Sequence, residues 1–150
     1  MFARFLLVVC RSDESARTGK APQAFPAVLG HEGAGIVEKV GSAVNNLEVG
    51  DQVVLGFNYC GACDSYRTGH QTTCEQWPQL NMSGVREDGS HTISKEDGTP
   101  VANLFTQSSF ATHALVNANN VTKVDEDVDL RLVGPLRCGF ATGSGTVINA

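Results

Sequence analysis

Five cysteines and one glycine-flanked histidine are the residues whose types and spacing could do chemistry in this chain. Cys60 and Cys63 form a C-x2-C turn, with Cys74 further on. Two thiolates on such a turn can face one tetrahedral ion, but a closed zinc site needs four ligands. Cys60, Cys63 and Cys74 supply three, and His70 lies between them as a candidate fourth. A loop carrying three free thiols is the alternative. His31 stands in Gly30-His31-Glu32-Gly33, where the backbone can turn sharply and expose the ring. Cys10 ends an apolar run, and Cys138 precedes Gly139. Taken alone, His31 reads more readily as a structural residue than as a ligand, and Cys10 and Cys138 as buried small hydrophobes.

Short strands and tight turns must position these residues. The 16 glycines are scattered among short β-rich runs. Residues 34–40 predict a strand closed by Gly41. Gly50-Asp51 marks a turn before a strand over 52–57, and further strands fit 110–116 and 121–124. The apolar run 5–10 is read as a first strand beginning at residue 4 or 5, being too short for a signal-peptide core and lacking a cleavage site. Residues 59–100 are rich in Cys, Gly, Asp, Ser and Thr. So long an irregular stretch needs a function or a staple such as a metal. No extended helical stripe occurs before residues 138–150, which read as the opening of a helix. Both ends look abrupt, so a truncated chain is expected.

Composition narrows the classes. With 150 residues, 41% of them hydrophobic and 18% charged, the chain can form one domain with a core. A net charge of −5 argues against nucleic acid or an anionic membrane as partner. It also argues against a zinc knuckle, and the stretch from Cys60 to Cys74 is short of the basic and aromatic residues such a module needs. No run approaches the ~18 apolar residues of a membrane span. An odd cysteine count with no secretory signal favours metal ligation over disulfides, and the cytoplasm as compartment.

Together the motifs carry more than each does singly. Cys10-Arg11-Ser12-Asp13, Gly30-His31-Glu32-Gly33, Gly50-Asp51-Gln52-Val53-Val54, Cys60-Gly61-Ala62-Cys63, then Cys138-Gly139 with Thr142-Gly143, in this order and spacing, resemble the zinc-dependent medium-chain alcohol dehydrogenases. Residues 81–90 and 105–112 look like the aryl- or benzyl-alcohol branch. The resemblance implies a mainly β fold, a GroES-like partly open barrel with short helices. It implies an N-terminally truncated catalytic domain over 1–138 and the start of a nucleotide-binding domain over 139–150.

It also implies roles. Cys10, His31 and Cys138 would hold a catalytic zinc with its fourth position open, which lowers the pKa of an alcohol. Ser12 would begin a proton relay, Asp13 would orient His31, and Glu32 would lie close to the metal and exchange as a ligand. Arg11 would face the cofactor pyrophosphate and Thr142 the nicotinamide of NAD(P). Cys60, Cys63 and Cys74 would belong to a structural zinc whose third cysteine position is here Tyr66. That site is therefore either lost or completed by His70 or Asp64. Ser15 stands where relatives with a full relay carry His, and the Gly-x-Gly-x-x-Gly fingerprint is absent. The expected function is zinc-dependent oxidation of a primary alcohol, aromatic ones included, to the aldehyde with hydride passed to NAD(P). The partner is then a small alcohol or aldehyde, with homo-oligomers only for a full-length protein. The alternative is a truncated, inactive zinc-binding fragment.

Overall fold

The structure, a computed structural model, describes residues 2–150, with side chains from Leu7 onward. Five strands form the main sheet: β1 (Phe2–Val8), β3 (Glu32–Lys39), β4 (Gln52–Leu55), β7 (His113–Leu115) and β8 (Val121–Lys123), in the order β7-β1-β3-β4-β8. All its pairings are antiparallel, and Val8 lies opposite Glu32. A second sheet joins β2 (Ala27–Val28), β6 (Pro100–Asn103) and β5 (Ile93–Ser94), with β2 parallel to β6. Among the described residues no helix is long and apolar enough to cross a membrane.

The strands follow from the apolar pattern. In β3, Ile36 and Glu38 face outward while Val37 is buried, the period-2 alternation of a sheet with one wet face. In β4, Val53, Val54 and Leu55 are all buried, so this central strand is covered on both sides. Val37, Leu47, Val53, Leu55, Ala114 and Val116 form the core, flanked by Val40, Val44 and Val121. Burying each large aliphatic here stabilises by roughly 1.5–3 kcal/mol.

Four differences from the sequence reading matter. The first strand begins at Phe2, not at residue 4 or 5. The strand expected over 110–116 shrinks to β7 because Ser109 and Phe110 donate their N–H groups to Gly30 and Leu29 instead of to a neighbouring strand. Cys10 is followed by helix α1 (Arg11–Arg17). Only Asp13 and Ala16 of α1 are buried, so it carries no apolar stripe to betray it. Finally, residues 59–100 contain short elements: α2 (Asp64–Arg67), a 3-10 turn (Gln71–Thr73), α3 (Trp77–Met82) and β5. Helix α4 (Leu130–Val133), capped by the Asp129 carboxylate on the Arg131 N–H, leads into a 3-10 turn (Gly134–Arg137) and α5 (Gly139–Ile148).

Candidate metal centre

Three chain segments meet at the mouth of β3. Cys10 lies between β1 and α1, His31 and Glu32 open β3, and Cys138 stands between the 3-10 turn and α5. Cys138 Sγ is 3.3 Å from His31 Nε2 and 3.9 Å from Cys10 Sγ. Cys10, His31, Glu32 and Cys138 each offer a ligand atom, all within 4.8 Å of one another. Bond lengths of about 2.3 Å to sulfur and 2.0–2.1 Å to nitrogen place tetrahedral donors roughly 3.5–3.8 Å apart. The set therefore fits zinc in both chemistry and spacing.

Glycines let the segments approach. Gly30 has φ +98°, and a Cβ there would stand 2.5 Å from the Phe110 backbone nitrogen. Gly134 packs so close that a Cβ would lie 2.9 Å from the Glu32 carbonyl oxygen. That approach brings the turn ending at Cys138 down onto β3.

Asp13 ties the site together. It is 2% exposed. Its Oδ1 accepts from the Gly30 N–H at 2.8 Å and faces His31 Nδ1 at 3.2 Å, while Oδ2 accepts from the Cys10 N–H at 3.1 Å. Burial alone would raise this carboxyl, but the His31 contact and the two backbone donors outweigh it and hold it below its ordinary value. With the carboxylate on Nδ1, the ring proton belongs there, and the Nε2 lone pair points to the cysteines. Glu32 Oε1 accepts the Gly139 N–H at 3.1 Å, satisfying an otherwise orphan donor at the start of α5. Burial, with Cys10 and Glu32 close by, pushes the Cys138 thiol up. A cation among these groups reverses that preference.

Aromatic rings shield His31. Phe105 meets it edge-on at 5.0 Å, and Phe57 stacks at 6.3 Å. Trp77 touches both, at 5.5 Å from Phe57 and 6.0 Å from Phe105. Phe105, Thr106 and Ser108 all have positive φ, near 52–54°, a conformation that costs on the order of 1–3 kcal/mol each. Hydrogen bonds hold this loop: Thr106 N–H to Asn103 Oδ1 at 3.0 Å, Leu104 N–H to Ser108 Oγ at 3.1 Å and Asn120 Nδ2 to Thr106 Oγ1 at 2.8 Å. Asn81 is a second pillar, donating to the Asn58 and Trp77 carbonyls and accepting from the Asn58 N–H. Sequence reasoning gave these aromatics and Asn81 no role in the site. Their contacts join residues far apart in the chain, and no local pattern announces them.

The other expected residues lie at the margin. Ser12 is exposed, its Oγ 3.9 Å from Cys10 Sγ. Arg11 and Thr142 are exposed on α1 and α5. Ser15 lines a shallow groove with Arg11, Glu14, Thr18 and Lys20. A cavity of about 480 Å³ opens elsewhere, between α3 and β7; none of the four donors lines it.

A second cluster brings Cys60, Cys63 and Cys74 together, again with ligand atoms within 4.8 Å. Gly61 (φ +71°) makes the turn. The N–H groups of Ala62 and Cys63 point at Cys60 Sγ at 3.4 and 3.3 Å, and that of Cys60 at Cys74 Sγ at 3.4 Å. Those donors draw the Cys60 thiol down to about 7, whereas burial pushes Cys74 up. Among the described residues neither His70 nor Asp64 joins the group. His70 Nδ1 faces Thr68 Oγ1 at 3.3 Å. Of the two alternatives for this site, completion by His70 or Asp64 is not the arrangement seen among the described residues, where both side chains are exposed.

The alcohol dehydrogenase GroES-like domain family matches residues 6–126, and the chain belongs to it. It is similar to the geraniol dehydrogenase of Castellaniella defragrans, 46% identical over 144 residues that cover 95% of this chain and 38% of the relative. Among solved structures it matches the alcohol dehydrogenase zinc-binding domain protein of Burkholderia ambifaria, at TM-score 0.94 and 44% identity over 99% of this chain and 40% of that one. It also matches the benzyl alcohol dehydrogenase of Acinetobacter calcoaceticus, at TM-score 0.89 and 43% identity over 99% and 40%. The chain thus spans about two fifths of these proteins. The mainly β, GroES-like architecture expected from the motifs is the one found.

Proposed function

We propose that this chain carries the metal-binding catalytic site of an alcohol dehydrogenase that oxidises a primary alcohol, an aromatic one by preference, and passes hydride to NAD(P). The observation that supports it most is the convergence of Cys10, His31 and Cys138, three donors at zinc spacing with Glu32 beside them. Cys10, His31 and Cys138 would hold the ion, and Glu32 would take or yield the remaining position. Zinc bound there would polarise the alcohol oxygen and bring its pKa toward neutrality.

The chain's own residues do the rest. Asp13 keeps the His31 proton on Nδ1, so Nε2 is free to coordinate. Phe57 and Phe105 keep water from the imidazole face, and the half-buried Phe57 and Trp77 beside it offer apolar surface to an aromatic substrate. Ser12, exposed at the rim with its Oγ 3.9 Å from Cys10 Sγ, would relay the hydroxyl proton to solvent. Ser15 carries a hydroxyl that cannot change charge near neutral pH, so the last transfer runs through water. Arg11 and Thr142, both exposed, would serve the nucleotide.

Zinc per chain, measured by elemental mass spectrometry on tag-free protein, tests the site. Expected are one zinc fewer in Cys138→Ala than in the parent, and one zinc retained in Cys63→Ala that is lost in Cys63→Ala/Cys138→Ala. A folded chain that takes up no zinc at Cys10, His31 and Cys138 sinks the proposal.

A further inference from the structure

The Cys60–Cys63–Cys74 cluster does not fit a closed zinc centre. Four protein ligands close a structural site, while three leave a position for an outside ligand. Three thiols converge here. The residue at the spacing of a further cysteine, Tyr66, lays its ring on Tyr59, centroids 5.4 Å apart and 18° from parallel. That stacking keeps it with Tyr59. His70 faces Thr68, and no carboxylate or histidine among the described residues completes the set. Cys60 and Cys63 are half-buried at the surface and Cys74 is buried beneath them. The backbone N–H groups of Cys60, Ala62 and Cys63 pre-orient two of the sulfurs for coordination.

We infer that this lobe is an open three-thiolate metal site, which binds a thiophilic divalent ion through Cys60, Cys63 and Cys74 and leaves its fourth position to an exchangeable outside ligand. The ion enters and leaves from the solvent side, where Cys60 and Cys63 lie. Soft thiolates favour soft ions, so cadmium competes well against zinc here. The inference is independent of the Cys10–His31–Cys138 reading, because the two clusters share no residue.

Cobalt(II) is the probe, since its visible absorption reports ligand type and number. The spectrum of the lobe is isolated as the difference between the unmodified chain and Cys63→Ser, with Trp77 fluorescence showing that both are folded. A Cys10→Ser/Cys138→Ser chain gives the same spectrum directly. Added 2-mercaptoethanol is expected to shift this spectrum as it enters the fourth position. In Tyr66→Cys the shift disappears, and chelator-driven release slows roughly tenfold or more, a modest share of what each ligand contributes to a four-ligand site. Tyr66→Phe behaves as the unmodified chain. No thiol-induced shift, release as slow as in Tyr66→Cys, loss of cobalt in Tyr66→Phe, or no cobalt in the lobe would each overturn the inference. Loss of metal from the other cluster alone would leave it standing.

Discussion

Replacing Asp13 with Asn tests how the metal centre is organised. Three donors converge on this buried carboxylate: the Gly30 N–H at 2.8 Å, the Cys10 N–H at 3.1 Å and His31 Nδ1 at 3.2 Å. The first and third share Oδ1, and the second takes Oδ2. An amide has one acceptor oxygen. In its better orientation that oxygen keeps Gly30 and His31, and the NH2 group then faces the Cys10 N–H, donor against donor. A hydrogen bond to a charged group contributes roughly 1.5–3 kcal/mol, so Asp13→Asn is expected to cost about 2–3 kcal/mol. The neutral amide also holds the imidazole less firmly. Loss of such an outer partner typically weakens metal binding by about 10–100-fold. Urea unfolding followed by fluorescence of Trp77, the single tryptophan, measures the first effect. It must be done with chelator present, since bound metal adds its own stabilisation. Competition against a chromophoric chelator measures the second. A variant within about 0.5 kcal/mol of the parent, with unchanged zinc affinity, refutes the account. Loss of stability with unchanged affinity refutes the orienting role alone.

Three further outcomes follow from the same geometry. Gly30→Ala combines a left-handed backbone (φ +98°) with a Cβ 2.5 Å from the Phe110 nitrogen; it should lower the unfolding free energy measured in urea by more than the ~1–2 kcal/mol of left-handed strain alone. Asn81→Ala removes hydrogen bonds to Asn58 and Trp77, leaves buried backbone groups unpaired at about 1–3 kcal/mol each, and should loosen the ring packing, read as a shift in Trp77 emission. Arg11→Ala, at an exposed position, should leave urea stability within about 0.5 kcal/mol and zinc content unchanged; a loss of zinc would mean that Arg11 supports the metal centre.

Much of the site was legible before any folding. Residue type names the donors, and motif order names their partners. The strands at residues 32–39, 52–55 and 121–123 also show: the first alternates around Ile36 to Glu38, and the second is a short continuous β-branched and aliphatic run after a Gly-Asp turn. What was not legible depends on contacts between distant segments. Helix α1 hides because it buries a carboxylate and one alanine, not an apolar stripe. The strand expected over 110–116 is cut short because Ser109 and Phe110 are claimed by the β2–β3 connection.

His70 makes the same point from the other side. Its spacing between cysteines nominates it as a ligand, yet the short α2 turn sends the ring to Thr68. Phe57 and Phe105 pack on His31, and Trp77 on both of them, where Asn81 and the positive-φ loop at 105–108 hold three remote segments together. The sequence by itself thus determined which atoms can coordinate a metal, since that is a property of side-chain chemistry. Tertiary structure alone decided which of them meet. Cys10 and Cys138 are 128 positions apart, and the pairing of β1 with β3, together with the packing of the turn at Gly134 against β3, sets their sulfurs 3.9 Å apart.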